Sequence, residues 1–321
     1  MGGAQASHSA LEAVVGEMVS VKTRAYRTRP KHTRELMTMA QNTLRQLCLQ
    51  STTIEPPTTD RPQYSLLGPL EVWRCGRPVD IGGPQQRTLL AVLLLNANRM
   101  VGTDRLIEHL WGVQPPQTAK ALLHGCISHL RRVLNSSSNE QVLVTRGSGY
   151  VLRVDTEDLD LLRFRHLTDA AACLPDGEHR VRLLSEALAC WKGAVATGQD
   201  LPSCSEEIAE LEERRTAALE DRLVLDLSLS VHAGLLVEVR AAVRRHPLRE
   251  RLWALLIAAL YGLDRQAEAL ATYRELRQSL IDQLGIEPSV TLRELHQQIL
   301  SGTNPGDLII PVGAENLRRT G

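Results

Sequence analysis

The fold is decided by residues 117–134, QTAKALLHGCISHLRRVL, and by the shorter stretch TRGSGY at 145–150 that follows them. In the first stretch, apolar residues recur at the i, i+3, i+4, i+7 spacing of an amphipathic helix. The residues expected to face the core are Ala119, Leu122, Leu123, Cys126, Ile127, Leu130, Val133 and Leu134. Lys120, His124 and Ser128 follow one another one turn apart on the opposite face.

The residues before this helix predict strands and two further helices. Residues 64–81 are rich in β-forming residues and are interrupted by glycine-containing turns. The next segment, 85–96, is apolar nearly all round and predicts a buried helix. Thr103 is expected to cap a second helix, with Gly112 just past its end. Two prolines then delay the third helix until Gln117.

A hairpin is predicted after the third helix, because alternating β-formers at 142–154 flank a glycine-rich turn. Strands, helix, helix, turn, helix and hairpin in this order indicate a winged helix-turn-helix. A basic helix face fits the major groove of DNA, and an arginine at a hairpin tip, Arg146, fits the minor groove. The alternative is an ordinary amphipathic helix with a solvated basic face. The outward face carries Gln117, Lys120, Ala121, His124, Ser128, Arg131 and Arg132.

The chain becomes helical throughout after Asp155. Trp253, Leu256, Ala269 and Tyr273 keep the spacing of a tetratricopeptide repeat, in which small and large residues interlock two antiparallel helices. The predicted fold is therefore an α+β winged helix-turn-helix followed by an all-α tetratricopeptide-like domain.

Four segments follow from these patterns: a disordered basic extension at 1–61, the winged domain at 62–155, the helical domain at 156–301 and a disordered tail at 302–321. Basic residues outnumber acidic ones in the first two segments, whereas acidic residues are in excess after 155. This distribution favours a polyanion as the partner of the N-terminal half.

Several function classes find no support in the sequence. The six cysteines form no C-x-x-C pair, and His124, Cys126 and His129 lack metal-ligand spacing and a carboxylate partner. No nucleophile, phosphate-loop or zinc-protease motif occurs, so neither a catalytic residue nor a cofactor is expected. No apolar run approaches the roughly 18 residues of a membrane span. The protein is expected to be cytoplasmic.

Several motifs resemble those of the Streptomyces antibiotic regulatory proteins, in which an OmpR/PhoB-type winged helix precedes a bacterial transcriptional activation domain. In the winged half they lie at 67–72, 83–90, 93–99, 104–107, 110–112, 115–116, 128–134 and 145–150. In the helical half they lie at 183–188, 191–193, 246–253 and 285–288. The resemblance covers about 64–301, and it departs from the family pattern at Ala121, Gly125 and His129.

The resemblance implies a pathway-specific activator of an antibiotic cluster, with an output domain of the two-component type. Such proteins bind tandem direct repeats in promoter DNA, as head-to-tail pairs at the nucleoid, and recruit RNA polymerase holoenzyme. The DNA-binding residues implied in this chain are Gln117, Lys120, His124, Ser128, Arg131 and Arg132 in the groove and Arg146 in the minor groove. A second hypothesis is a helical-repeat protein-interaction adaptor whose winged domain does not bind DNA.

Overall fold

The computed structural model describes residues 61–135, 141–229 and 233–308. The predicted extension at 1–61 lies outside the described residues except for its last position, and so does the predicted tail from 309 to 321. The described chain begins with a part that mixes strands and helices and continues with a part built of helices.

The first part of the described chain contains six short strands and three helices. They are β1 (Gln63–Ser65), β2 (Glu71–Arg74), β3 (Arg77–Pro78), α1 (Pro84–Leu95), β4 (Val101–Gly102), α2 (Thr103–Trp111), α3 (Ala119–Leu134), β5 (Leu143–Arg146) and β6 (Gly149–Leu152). The strands form two antiparallel sheets with the orders β1-β2-β3 and β4-β6-β5. This arrangement is a winged helix-turn-helix, as the sequence predicts.

Helix α1 is the central support of this part. Its apolar run at 89–95 is buried throughout, as predicted, and it packs against both α2 and α3. Gly83 occupies its cap position and Pro84 its first turn, where a missing N–H costs nothing. Arg87 fastens the helix to the preceding sheet by donating a hydrogen bond of 2.8 Å to the carbonyl of Leu70.

The start of α2 differs from the prediction that Thr103 caps it. Gly102 occupies the cap position, and Thr103 is the first helical residue. The Thr103 hydroxyl instead donates a hydrogen bond of 2.7 Å to the carbonyl of Ser148. Because β4 pairs with β6, the turn of the hairpin lies beside the start of α2, and Thr103 fastens the two together.

The second part of the described chain contains seven α-helices. They are α4 (Asp160–Ala172), α5 (Glu178–Ala189), α6 (Ser205–Leu229), α7 (Ala233–Arg245), α8 (Glu250–Gly262), α9 (Gln266–Leu284) and α10 (Val290–Leu300), with short 3-10 turns at Thr156–Asp158, Pro202–Cys204 and Pro305–Asp307. Helices α8 and α9 pack together. Trp253, Leu256, Ala269 and Tyr273 are all buried there, which confirms the predicted tetratricopeptide-like half.

The described structure continues beyond the predicted domain end at 301. The Tyr261 hydroxyl donates a hydrogen bond of 2.7 Å to the carbonyl of Thr303, and Leu308 packs against the core of the helices. The residues at 302–308 are therefore held by α8 rather than forming the start of a disordered tail.

The two main hydrophobic cores do not divide where the predicted boundary at 155 divides the sequence. The first core collects side chains from 64–211, and the second collects side chains from 223–299. Phe164 and Trp191, which meet edge to face with ring centroids 5.4 Å apart, belong to the first core. The winged part therefore completes its core with α4, α5 and the segment before α6.

Asp160 is the main polar contact across this shared core. Its carboxylate accepts hydrogen bonds from the backbone N–H groups of Leu66, at 2.9 Å, and Leu67, at 3.0 Å, and from the Ser65 hydroxyl at 3.1 Å. The Leu67 carbonyl in turn accepts the N–H of Lys192 at 2.7 Å. Burial raises the pKa of Asp160, and the hydrogen bonds offset part of that effect.

Replacement of Asp160 by alanine should reduce the free energy of unfolding by on the order of 2–3 kcal/mol, because buried N–H groups of Leu66 and Leu67 would lose their acceptor. Urea denaturation followed by circular dichroism measures this change. Asp169→Ala is the matched control, since its carboxylate is 70% exposed and should contribute less than about 0.5 kcal/mol. Equal losses in the two variants would contradict the proposed role of Asp160.

Candidate nucleic-acid interface

Helix α3 has one buried and one exposed face. The buried residues are Ala119, Leu123, Cys126, Ile127, Leu130 and Leu134. The exposed residues include Lys120, Ala121, His124, Gly125, Ser128 and Arg132. Leu122 was expected in the core but is 42% exposed, because each helical step turns by about 100° and places it outside the stripe that contains Leu123. Val133 is half-buried rather than fully buried.

Most of the residues predicted to contact DNA lie together on the exposed side. Lys120, His124, Ser128 and Arg132 are exposed along α3, and Gln117 is exposed in the turn that precedes it. The helix begins at Ala119, two residues later than predicted. Gln117 therefore projects from the turn rather than from the helix.

The exposed face of α3 carries positive charge without a nearby negative residue of its own. No acidic residue occurs at 119–134. Among the described residues, Lys120 and Arg146 form no ion pair, and Arg132 donates a hydrogen bond of 3.0 Å to Nδ1 of His129. Exposed cations that form no ion pair within the protein can replace the counterions of a nucleic-acid backbone.

The guanidinium of Arg131 is engaged within the protein, whereas the sequence predicts that it contacts DNA. Its Nε donates a hydrogen bond of 2.9 Å to the carbonyl of Leu143, and its Nη2 donates one of 2.7 Å to the hydroxyl of Thr145. The guanidinium carbon also lies 5.9 Å from the ring centroid of Tyr150. Arg131 therefore joins α3 to both strands of the hairpin β5–β6.

His129 joins α3 to the loop after β3. Its Nε2 lies 3.1 Å from the carbonyl oxygen of Ile81. A carbonyl can only accept, so Nε2 carries the proton and Nδ1 accepts from Arg132. The loop turns at Gly82, whose φ is +98° and whose position has no room for a Cβ, which would lie 2.9 Å from His129 Nε2. Glycine is therefore required where the loop meets the helix.

Arg74 holds the C-terminal end of α3 and was not predicted from the sequence. Its Nη2 donates to the carbonyls of Val133, at 3.0 Å, and Leu134, at 2.7 Å. These carbonyls belong to the last turn, where intrahelical partners are missing, and a positive charge there also favours the helix dipole. The partners lie 59 and 60 positions apart in the chain, so no local pattern could have indicated the contact.

The hairpin β5–β6, here called the wing, exposes Arg146 opposite Gly149. A Cβ at Gly149 would overlap the carbonyl oxygen of Val101 in β4. Only glycine therefore allows β6 to approach β4 this closely. Tyr150 anchors the wing, because it is 6% exposed and pairs with Val101.

Metal-ligand clusters and membrane-spanning helices are absent from the part of the chain that the structure describes. Within residues 61–135, 141–229 and 233–308, no three His, Cys, Asp or Glu side chains are grouped so that they could hold a metal ion. In the same residues, no helix combines the length and the apolar character that crossing a membrane requires. His124 is exposed whereas Cys126 is buried, so these two residues lie on different faces of α3.

Two family models match consecutive parts of the chain. The C-terminal domain of transcriptional regulatory proteins matches residues 76–152, and the bacterial transcriptional activator domain matches residues 159–300. The first match contains α3 and the wing, and the second contains helices α4 to α10.

Two relatives of this chain are named regulatory proteins. Regulatory protein AfsR of Streptomyces coelicolor is 42% identical over 242 residues, which are 74% of this chain and 24% of that protein. Regulatory protein DnrI of Streptomyces peucetius is 36% identical over 258 residues, which are 76% of this chain and 93% of that protein. The matched region thus spans about a quarter of the first relative and nearly all of the second.

A solved structure is similar to both parts of the chain. It is that of Mycobacterium tuberculosis EmbR in complex with a low-affinity phosphopeptide, with a TM-score of 0.73 and 35% identity. The match covers 77% of this chain and 66% of that one. Both family models describe domains of transcriptional regulators, and both relatives are named regulatory proteins.

Gly149 and Gly125 form a matched pair for testing how α3 and the wing are packed. Gly149→Ala should lower the free energy of unfolding by about 1–3 kcal/mol, because the added methyl group overlaps Val101. Gly125→Ala should raise it by up to about 1 kcal/mol, since no atom lies within 4 Å of the added Cβ and alanine favours a helix interior. Urea denaturation measures both changes, and a Gly149→Ala variant as stable as the wild type would contradict this packing.

Proposed function

Because this chain belongs to the Streptomyces antibiotic regulatory protein family, we propose that it is a pathway-specific transcriptional activator. It binds tandem direct repeats in the promoters of a biosynthetic cluster for a secondary metabolite, an antibiotic, and recruits RNA polymerase holoenzyme. The observation that carries the proposal is the pair of exposed basic elements, α3 and the wing, whose cations Lys120 and Arg146 form no ion pair among the described residues. A helix and a hairpin of this kind can follow the backbone of duplex DNA.

Helix α3 enters the major groove in this proposal. His124 and Ser128 lie along its outward face and are assigned to base edges, which offer donors and acceptors to both side chains. Lys120 and Arg132 are assigned to phosphates on either side of them. Gln117, exposed in the preceding turn, is assigned to the phosphate backbone where the helix enters the groove.

The wing reaches the adjacent minor groove with Arg146, because the negative potential there attracts an arginine side chain. Arg131 acts differently from the sequence-based hypothesis. Its hydrogen bonds to Leu143 and Thr145 support a positioning role, in which it fixes the distance between the helix and the wing.

The two parts of the chain have different roles in this proposal. Residues 62–155 are assigned to DNA binding and residues 156–301 to activation, through contact with the polymerase. Direct repeats present the same orientation at each site, so two copies would bind head to tail rather than about a twofold axis. The protein acts at the nucleoid, in the cytoplasm, where promoter DNA lies.

Arg132→Ala and Arg131→Ala separate a phosphate contact from a positioning role. Fluorescence anisotropy over a salt series gives the affinity for a duplex that the wild-type chain enriches from a random-sequence library. Loss of one phosphate contact in Arg132→Ala should reduce the slope of log K against log salt by about 1. Arg131→Ala should weaken binding and leave the slope nearly unchanged. Arg182→Ala, on α5, is the control with no expected effect on either quantity.

The same titration tests base recognition and the adaptor hypothesis. His124→Ala should weaken binding to the enriched duplex more than binding to a random duplex, because a lost base contact discriminates between sequences. Affinity that does not depend on salt would contradict DNA binding by this surface. A promoter reporter that is activated equally without residues 62–155 would favour the protein-interaction adaptor instead.

A further inference from the structure

A cleft of about 400 Å³ opens where the first sheet meets the helical part. Tyr64 and Trp73 line it from β1 and β2, and Asp158 and Glu186 line it from the segment before α4 and from α5. This volume is within the range of small-molecule sites. The cleft is separate from α3 and the wing, which contribute no residue to it.

The cleft has more negative than positive groups. Four carboxylates line it, against the cations Arg163 and Lys192. The carboxylate of Asp160 is committed to backbone N–H groups. Those of Asp158 and Glu186 form no ion pair with any described residue. Burial, and then repulsion from neighbouring carboxylates, raises the pKa of Asp158, although Arg61 opposes the effect.

The hydroxyl of Tyr64 is an independent sign that the cleft accepts a ligand. The Tyr64 side chain is only 5% exposed, and its hydroxyl has no hydrogen-bond partner among the described residues. Burial raises the pKa of Tyr64 well above its usual range, so the hydroxyl keeps its proton as a donor. Tyr64 lines the cleft, and a buried hydroxyl without a partner is stabilised when a bound molecule supplies one.

Trp73 adds an aromatic surface at the rim. Its side chain is 37% exposed, and the indole Nε1 donates a hydrogen bond of 3.1 Å to Glu71, which limits rotation of the ring. An exposed indole face attracts organic cations through its quadrupole and also covers their apolar atoms.

We propose that this cleft binds a small organic amine, with an ammonium group held by Asp158 and Glu186 and an apolar body against Trp73. A polar substituent of the amine would complete the hydrogen bonding of Tyr64. Because its walls come from both parts of the chain, the bound amine would link the winged part to the helical part. The site is independent of the proposed DNA contacts.

Calorimetric titration of the full-length protein with phenethylamine tests the proposal. Phenylacetate and phenethyl alcohol, which have a similar body with a negative and a neutral head, are the matched ligands. Phenethylamine should bind saturably with one site per chain, and at least about tenfold more tightly than either matched ligand, the factor expected from one partly buried ion pair.

Two variants of the cleft and one control complete the test. Glu186→Gln and Asp158→Asn should each weaken phenethylamine binding by about tenfold, whereas Glu178→Gln, an exposed carboxylate on α5 outside the cleft, should not. Urea denaturation verifies that each variant is folded. Absence of saturable binding, equal binding of phenylacetate, or wild-type affinity in both cleft variants would overturn the proposal. The DNA titration fails or succeeds separately, since none of these substitutions touches α3 or the wing.

Discussion

The carboxylate of Asp160 accepts the backbone N–H groups of Leu66 and Leu67 in the interior of a core that both parts of the chain share. These N–H groups lie between β1 and β2, so no strand partner is available to them. A buried backbone donor without an acceptor is costly. The position of the first sheet, and through Arg87 that of α1 and the helices it supports, therefore depends on the start of α4.

Contacts within the protein at the C-terminal half of α3 determine which part of the helix remains exposed. Arg74 binds the end of the helix, Arg131 binds the wing, and His129 binds the loop after β3. These three contacts fix the helix from its C-terminal half, where partner groups are available inside the protein. The N-terminal half, with Lys120 and His124, is exposed. Pre-positioned groups of this kind lose less entropy on binding.

The order of elements and the faces of α3 could be predicted from the sequence because they depend on local periodicity. The buried run at 89–95, the tetratricopeptide spacing of α8 and α9, and the glycine-rich wing are all of this type. Contacts such as Arg74 with Leu134 and Thr103 with Ser148 join residues far apart in the chain. Neither the residue types nor their local spacing in the sequence indicates such pairs. The spacing of Arg131 on its helix indicates which side the residue occupies, but it does not indicate that the guanidinium reaches Leu143 and Thr145.

Helix α3 and the wing rest on a core that is completed by α4, α5 and the segment before α6. Urea denaturation of a fragment comprising 61–155, compared with one comprising 61–308, measures how far the winged part depends on these helices. The shorter fragment should unfold at a much lower urea concentration, because it lacks Asp160, Phe164 and Trp191. The same unfolding midpoint for the winged part in both fragments would show that its core is complete without α4 and α5.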